Sequence, residues 1–262
     1  MSRHKNFACL ENHAKATKTG MESRWSQPVD QSESSQHHPI KHELLQPCRD
    51  QTHDKTIFDP TWKHPFTCVV AGPTGCGKTE WVKRFIQHLQ ELVLPTPTHV
   101  IWSYAEWQPA YHSLPNFVSL VQGLPDIPMY SEEPQLVVID DQMDHNDNRI
   151  SNLFTKGSHH RNISVIYIVQ NLFDKNKQHR TISLNAHYLV VFKNPRDGSQ
   201  IVHLAKQMYP GKTRYVQHAF ELATQTPHGY LLIDLKQSTP EIMRLRSRIF
   251  PDEIEDVYVE DN

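Results

Sequence analysis

Gly72-Pro73-Thr74-Gly75-Cys76-Gly77-Lys78-Thr79 sets a glycine, four residues and then Gly-Lys-Thr, which is the spacing of a phosphate-binding loop. The glycines let successive backbone N–H groups point inward as an anion cradle, and a helix starting at the loop's end adds partial positive charge. Lys78 has the reach for β- and γ-phosphates, and the Thr79 hydroxyl can ligate Mg²⁺. Leu136-Val137-Val138-Ile139-Asp140-Asp141 is a second group, four apolar residues closing on two carboxylates. Two acids at the end of a buried run are expensive unless a cation or a water needs them there. Following a phosphate loop, Asp140 takes the place of a Mg²⁺ ligand and Asp141 that of the group polarising an attacking water. The third group is Gln170-Asn171, an uncharged hydrogen-bonding pair that ends the apolar run Ile163–Val169. Gln170 is placed to feel a γ-phosphate or orient the water; capping the next turn is its competing role.

These residues need elements to hold them. Phe66–Ala71 reads as the strand before the loop. Trp81, Val82, Phe85, Ile86, Leu89, Leu92 and Val93 recur at helical spacing until Pro95, so one helix is expected there. His99–Ser103, Leu136–Ile139, Ile163–Val169, His187–Phe192 and Gly229–Asp234 read as further strands, with helical patterns at 149–155 and from Ile201 to Met208. Strands alternating with helices predict an α/β fold with a mostly parallel central sheet flanked by helices, and ligands at the carboxyl ends of its strands. Between His99 and Pro134 a proline-broken region carries Trp107, Tyr111 and Phe117, for which capping the core is favoured over stacking on bases.

Composition separates this domain from its flanks. Residues 1–58 are Ser-, Gln- and His-rich with few aliphatics, which predicts a disordered leader, followed by a domain over 59–250 and an acidic tail over 251–262. His37, His38, His42, Cys48 and His53 in the leader match no zinc spacing. The formal net charge of −2 hides an asymmetry: residues 142–214 hold eleven Lys/Arg against four acids, and the last twelve residues hold six acids and no base. That split favours a basic working face for a polyanion. The four cysteines form no CxxC pair, no signal-peptide pattern opens the sequence and no apolar run has membrane-span length, so an intracellular protein in a reducing compartment, with no membrane partner, is expected.

Taken together, GPTGCGKT (72–79), LVVIDD (136–141), FTKGSHHRNISVIYIVQNLF (154–173) and RTISLNAHYLVVFKNPRD (180–197) resemble the DNA-packaging ATPases of the FtsK–HerA group. Those of the poxviruses, other large DNA viruses and Maverick/Polinton elements are the nearest in kind, and the likeness spans about residues 64–235. The resemblance implies an additional-strand, RecA-like P-loop NTPase that forms a ring, a hexamer in the family's pattern, and hydrolyses ATP with Mg²⁺ to drive double-stranded DNA into a capsid, with a capsid or portal protein as a further partner. It further implies that Gly72, Pro73, Thr74, Gly75, Cys76, Gly77, Lys78 and Thr79 bind nucleotide, that Thr79 and Asp140 hold the metal, that Asp141 is the catalytic acid and that Gln170 is the sensor. An arginine from a neighbouring subunit completes such sites: Arg161 is the first candidate, with Lys156 and Arg180 as rivals. Many members carry Glu where this chain has Asp141, one methylene shorter. Cys76 stands where Ser or Ala is usual, which predicts sensitivity to thiol reagents. Loops over 142–150 and 171–181 are expected to touch phosphates without reading sequence.

Two other classes compete. A small-molecule kinase on the same scaffold needs an Arg-rich lid, and residues 104–134 contain no Arg. A nucleotide-gated assembly factor or clamp holds a partner without pumping, and would tolerate Asp141→Asn where a motor would not. Guanine-specific switching is disfavoured because Asn176-Lys177-Gln178-His179 lacks the aspartate of NKxD.

Overall fold

In the computed structural model the described residues are 59–125, 131–140, 149–157, 162–173 and 177–260, without the side chains of 156, 157, 177 and 178. They belong to one compact unit, Leu44–Asn262. The expected leader, Asp141, residues 142–148 and Arg161 lie outside them.

The strands are β1 (Trp62–Lys63), β2 (Thr67–Ala71), β3 (Val93–Leu94), β4 (His99–Tyr104), β5 (Val118–Gln122), β6 (Gln135–Asp140), β7 (Ile163–Val169), β8 (Tyr188–Phe192), β9 (Tyr230–Asp234), β10 (Leu245–Ser247) and β11 (Asp256–Val257). The helices are α1 (Lys78–Gln87), α2 (Leu89–Leu92), α3 (Arg149–Asn152), α4 (Lys177–Leu184), α5 (Ser199–Met208) and α6 (Thr213–Ala223); a π-helical turn, Leu153–Gly157, follows α3.

One nine-stranded sheet runs β11-β10-β9-β8-β2-β7-β6-β4-β5. From β8 to β5 neighbouring strands are parallel, and β9, β10 and β11 extend the sheet antiparallel. Strand β7 stands between β2 and β6, so an additional strand separates the phosphate-loop strand from the carboxylate strand. This is the sheet of an additional-strand P-loop NTPase. Register then fixes the site: Ala71 lies opposite Val169, and Asp140 opposite Ile168, so the three strands end at nearly one level.

Every residue of β2, β7 and β8 is buried, as expected of strands covered on both faces. Alternation divides them between two cores. Cys68, Val70, Ile166 and Ile168 pack with Trp81, Val82, Phe85 and Ile86 of α1. Val69, Ala71, Val165 and Tyr167 pack on the other face with Ile150, Ile182, Leu204 and Val216 from α3, α4, α5 and α6.

Several elements differ from the sequence reading. The helix expected to run through Val93 stops at His88, whose N–H reaches back to Arg84 and Ile86, and resumes as α2. Val93 is extended (φ −130°, ψ 129°) and pairs with Trp62 in a separate two-stranded sheet. Two buried apolar residues gain more from that pairing than from another turn of helix. The proline-broken region hides the edge strand β5 and places Tyr111 in the core, but leaves Trp107 and Phe117 exposed. Residues 251–260 of the acidic stretch lie along the domain. Arg84 meets Asp252 at 2.6 Å and Glu253 at 3.0 Å, Arg246 meets Glu255 at 2.7 Å, and the Tyr215 hydroxyl donates to the Tyr258 carbonyl at 2.7 Å.

Candidate functional site

The phosphate loop owes its shape to its glycines. Gly75 and Gly77 have φ +79° and +110°, in the left-handed region where side chains are strained. Gly72 is required by space: a Cβ there would stand 2.7 Å from both Cys76 Sγ and Phe192 Cβ. The loop is tied to the sheet by the Gly72 N–H, which donates to the Val169 carbonyl at 3.2 Å, and to the helix by Trp81 N–H donating to Gly77 O at 2.9 Å. Lys78 folds back over the loop, its ammonium donating to Gly72 O at 2.7 Å and Pro73 O at 3.0 Å.

This loop forms one wall of a cleft of about 370 Å³ whose lining includes Gly75, Lys78, Thr79, Asp140, Gln170 and His228. Asp140 is buried at 3% exposure and accepts the Tyr111 hydroxyl at 2.9 Å on Oδ2. Gln170, at the end of β7, is exposed toward it. A magnesium ion fits this donor set: Thr79 and Asp140 offer hard oxygens in one cleft beside an anion cradle, and Mg²⁺ in such sites is held by few protein oxygens plus phosphate. Among the described residues no cluster of three His, Cys, Asp or Glu could hold a metal ion by itself.

The structure brings Gly75, Gly77, Lys78, Thr79, Asp140 and Gln170 together, and Thr74 with them. Gly72 is buried beneath the loop, while Pro73 and Cys76 face a second cleft. Asp141 and Arg161 lie outside the described residues, as does the Lys156 side chain. Arg180 is exposed on α4 and is not among the residues lining the cleft. Of the basic loop expected over 171–181, residues 177–181 are helical, and 142–148 of the other loop lie outside the described residues. Burial raises the Cys76 thiol pKa, against the smaller opposing pull of Lys78, so the expected reactivity toward thiol reagents is corrected downward.

Besides Glu80 in the first turn of α1, two more lining residues escaped the sequence reading. Gln108 arrives on the connection between β4 and β5, immediately before the 3-10 turn Pro109–Ser113 that delivers Tyr111 to Asp140. His228 arrives because β9 is antiparallel to β8: Tyr230 pairs with Phe192, so the loop entering β9 reaches the same end of the sheet as the loops leaving the parallel strands. Neither has a motif of its own; His228 was readable only from the reversal of strand direction.

A chain with this strand order and loop has the P-loop NTPase fold. No protein-family model and no curated protein matches it. Among solved structures, the genome packaging NTPase B204 from Sulfolobus turreted icosahedral virus 2, in complex with ATP-gammaS, is similar at 13% identity over 70% of this chain and 96% of that one, with a TM-score of 0.44.

Proposed function

We propose that this chain is an ATP-hydrolysing motor that translocates double-stranded DNA, packaging a viral or virus-like genome into a capsid as one subunit of a ring. The observation that carries the hydrolytic half is the common cleft, where an anion cradle, a lysine, a buried carboxylate and an uncharged strand-end amide meet at the carboxyl ends of β2, β6 and β7. Lys78 neutralises charge on the β- and γ-phosphates, and Thr79 with Asp140 holds Mg²⁺. Magnesium, when bound, neutralises charge on the phosphate oxygens and polarises the γ-phosphorus. Water attacks the γ-phosphorus as its bond to the bridging oxygen of the β-phosphate breaks; Asp141 takes the water's proton, Gln170 orients that water, and Arg161 of an adjacent subunit stabilises charge developing on the γ-phosphate. The polyanion half is supported by the excess of eleven Lys/Arg over four acids in residues 142–214 and by the sequence resemblance.

The test is ATP turnover by the full chain with and without double-stranded DNA across a salt series, alongside Lys78→Ala. DNA is expected to stimulate turnover, the stimulation to fade steeply with salt, and the variant to be inactive. Turnover indifferent to DNA at low salt would remove the motor half and leave a nucleotide hydrolase.

A further inference from the structure

Gln170 stands just past the end of the sheet. Pairing of β7 with β2 ends at Val169, opposite Ala71, and pairing with β6 ends at Ile168, opposite Asp140. The Val169 carbonyl still accepts the Gly72 N–H at 3.2 Å, so the residue before Gln170 is tied to the phosphate loop. Beyond that point, where the Gln170 backbone lies depends on how the turn after it is held. Resting on the reading that Gln170 orients the attacking water, we propose that Gln200, in the first turn of α5, is a positioning residue for Gln170, gripping the chain two residues beyond it.

The grip is a carboxamide engaged at both of its atoms. Gln200 Oε1 accepts the Leu172 N–H at 3.1 Å, and Gln200 Nε2 donates to Asp197 Oδ2 at 3.0 Å. A backbone N–H only donates and an ionised carboxylate only accepts, so these two neighbours fix which way the amide faces. Asp197 is fixed in turn, since its Oδ1 accepts both the Ser199 N–H, at 3.1 Å, and the Ser199 hydroxyl. The Ser199 hydroxyl first, and Gln200 after it, hold the Asp197 carboxyl below its ordinary 3.8, which keeps it an acceptor at neutral pH. One line of hydrogen bonds therefore runs from the turn leaving β8, through Gln200, to the turn leaving β7.

The rest of the turn is held from nearby. Asn171 Oδ1 accepts the Phe173 N–H at 3.0 Å, a side chain standing in for a backbone turn. Leu172 is 3% exposed in the second core, and Phe173 meets His203, one turn further along α5, edge-on with ring centroids 6.2 Å apart. Two side chains of one helix thus bear on the three residues that follow Gln170. Gln200 is not among the residues lining the phosphate cleft, so it reaches the nucleotide only through the chain it holds. Without it the Leu172 N–H must find another acceptor, and the turn that shifts to supply one carries Gln170 with it. A displacement of about an ångström is enough to misplace a water-orienting amide.

Turnover of ATP and calorimetric affinity for ATPγS, measured on the full chain, test the line, with a thermal melt to verify folding. Gln200→Leu removes both bonds; it is expected to lower kcat about tenfold and to leave ATPγS affinity within about twofold, because the water and not the bound phosphates loses its partner. Gln200→Glu sets a second carboxylate against Asp197. Asp197→Asn sets an amide nitrogen against the Gln200 donor, since the Ser199 N–H keeps the amide oxygen. Each of these is expected to lower kcat several-fold, and combining them reverses the bond: the new amide donates to the new carboxylate, whose other oxygen still accepts the Leu172 N–H. The double variant should return to within about threefold of wild-type kcat, a recovery that two independent structural losses would not give. Wild-type kcat in Gln200→Leu, equal losses of kcat and ATPγS affinity, or no recovery in the double variant would each overturn the positioning role and leave the hydrolytic reading intact. Should Gln200→Leu fail to fold, the cycle of the two conservative variants decides alone. Wild-type protein without ATP turnover would overturn the hydrolytic reading, and this inference with it.

Discussion

The two ends of the central strands use similar polar residues in opposite ways. At the end where β2, β7 and β8 begin, polar groups satisfy one another. Ser164 accepts the Phe66 N–H at 3.0 Å and lies 2.6 Å from His64 Nδ1, whose other ring nitrogen meets Asn162; Thr67 accepts the His187 N–H at 3.1 Å and donates to Asn185 O at 3.0 Å. Asp234 closes β9 at this end, as buried as Asp140 at 3% exposure, with the buried Arg246 guanidinium 3.6 Å away. At the opposite end Lys78, Thr79, Asp140 and Gln170 open onto a shared cleft. A strand-end carboxylate matched to a guanidinium holds the fold together. Both carboxylates line clefts with lysines, Asp234 with Lys63 and Lys236 and Asp140 with Lys78, and what sets Asp140 apart is its place beside the glycine loop and Thr79.

The sharpest way to break that contrast is to remove one member from each end. Lys78→Ala is expected to lower ATP turnover by about a hundredfold or more with little change in the denaturation midpoint, because the ammonium bonds to carbonyls of its own loop. Asp234→Ala should do the reverse. It takes a carboxylate from Arg246, which is 1% exposed and keeps Glu255 at 2.7 Å, and should destabilise the domain by roughly 3 kcal/mol while turnover per folded molecule stays near wild type. Denaturant titration and turnover on the same preparations decide it. A stable Asp234→Ala protein with lost turnover would mean that the two ends are coupled.

The contrast also shows what a sequence can display. Strands β2, β6 and β7 were legible because burial on both faces leaves unbroken apolar runs, and the groups closing them were legible because Asp140 and Gln170 interrupt those runs abruptly. Strand β5 was not, since an edge strand with exposed Ser119, Leu120 and Gln122 carries neither a run nor an alternation. Val93 was misread because its spacing fits the helix while its partner, Trp62, is distant in sequence. The same limit applies at the site: Gln108 and His228 reach the cleft, and Tyr111 reaches Asp140 behind it, through loops whose course depends on contacts that local spacing does not encode.

Tyr111→Phe tests how Asp140 is held. The substitution removes one hydroxyl and keeps a ring packed against Trp102, Tyr104 and Trp107, so the fold should persist. Loss of a hydrogen bond to a ligating carboxylate typically weakens metal binding about tenfold or more, and Mn²⁺ titration followed by EPR in the presence of ATPγS should show it. Unchanged Mn²⁺ affinity would reduce Tyr111 to a packing residue. Cys76 tests the loop from beneath. With its pKa raised by burial, the thiolate fraction near pH 8 is smaller than for an exposed thiol, so carboxamidomethylation at Cys76, read by peptide mass, should be slow there and accelerate once the pH exceeds 9.0, the ordinary value for a cysteine thiol. Rapid labelling at pH 7 would show that the loop opens.

The smallest effect belongs to the closed end, and its sign is fixed by hydrogen-bond direction. The Asn162 carbonyl only accepts, so His64 donates to it from Nε2–H at 3.1 Å, with Asn162 Oδ1 at 3.0 Å; in the neutral ring Nδ1 is then the acceptor, and the Ser164 hydroxyl, which takes the Phe66 N–H on a lone pair, turns its proton to Nδ1. Both ring nitrogens are engaged in the neutral form. Protonating Nδ1 would turn it into a donor facing a hydroxyl that must rotate away, in a site where burial lowers the His64 pKa below its ordinary 6.5 despite the opposing pull of Asn162. A histidine whose folded pKa is depressed leaves the unfolded chain binding more protons, so its contribution is complete above about pH 6.5 and diminishes as pH falls toward the folded value. Wild-type stability should therefore decline faster below pH 6.5 than that of His64→Gln, whose amide retains a donor and an acceptor without titrating. Parallel declines in the two proteins would place the acid sensitivity elsewhere and remove His64 from the network that pins β7 to β2.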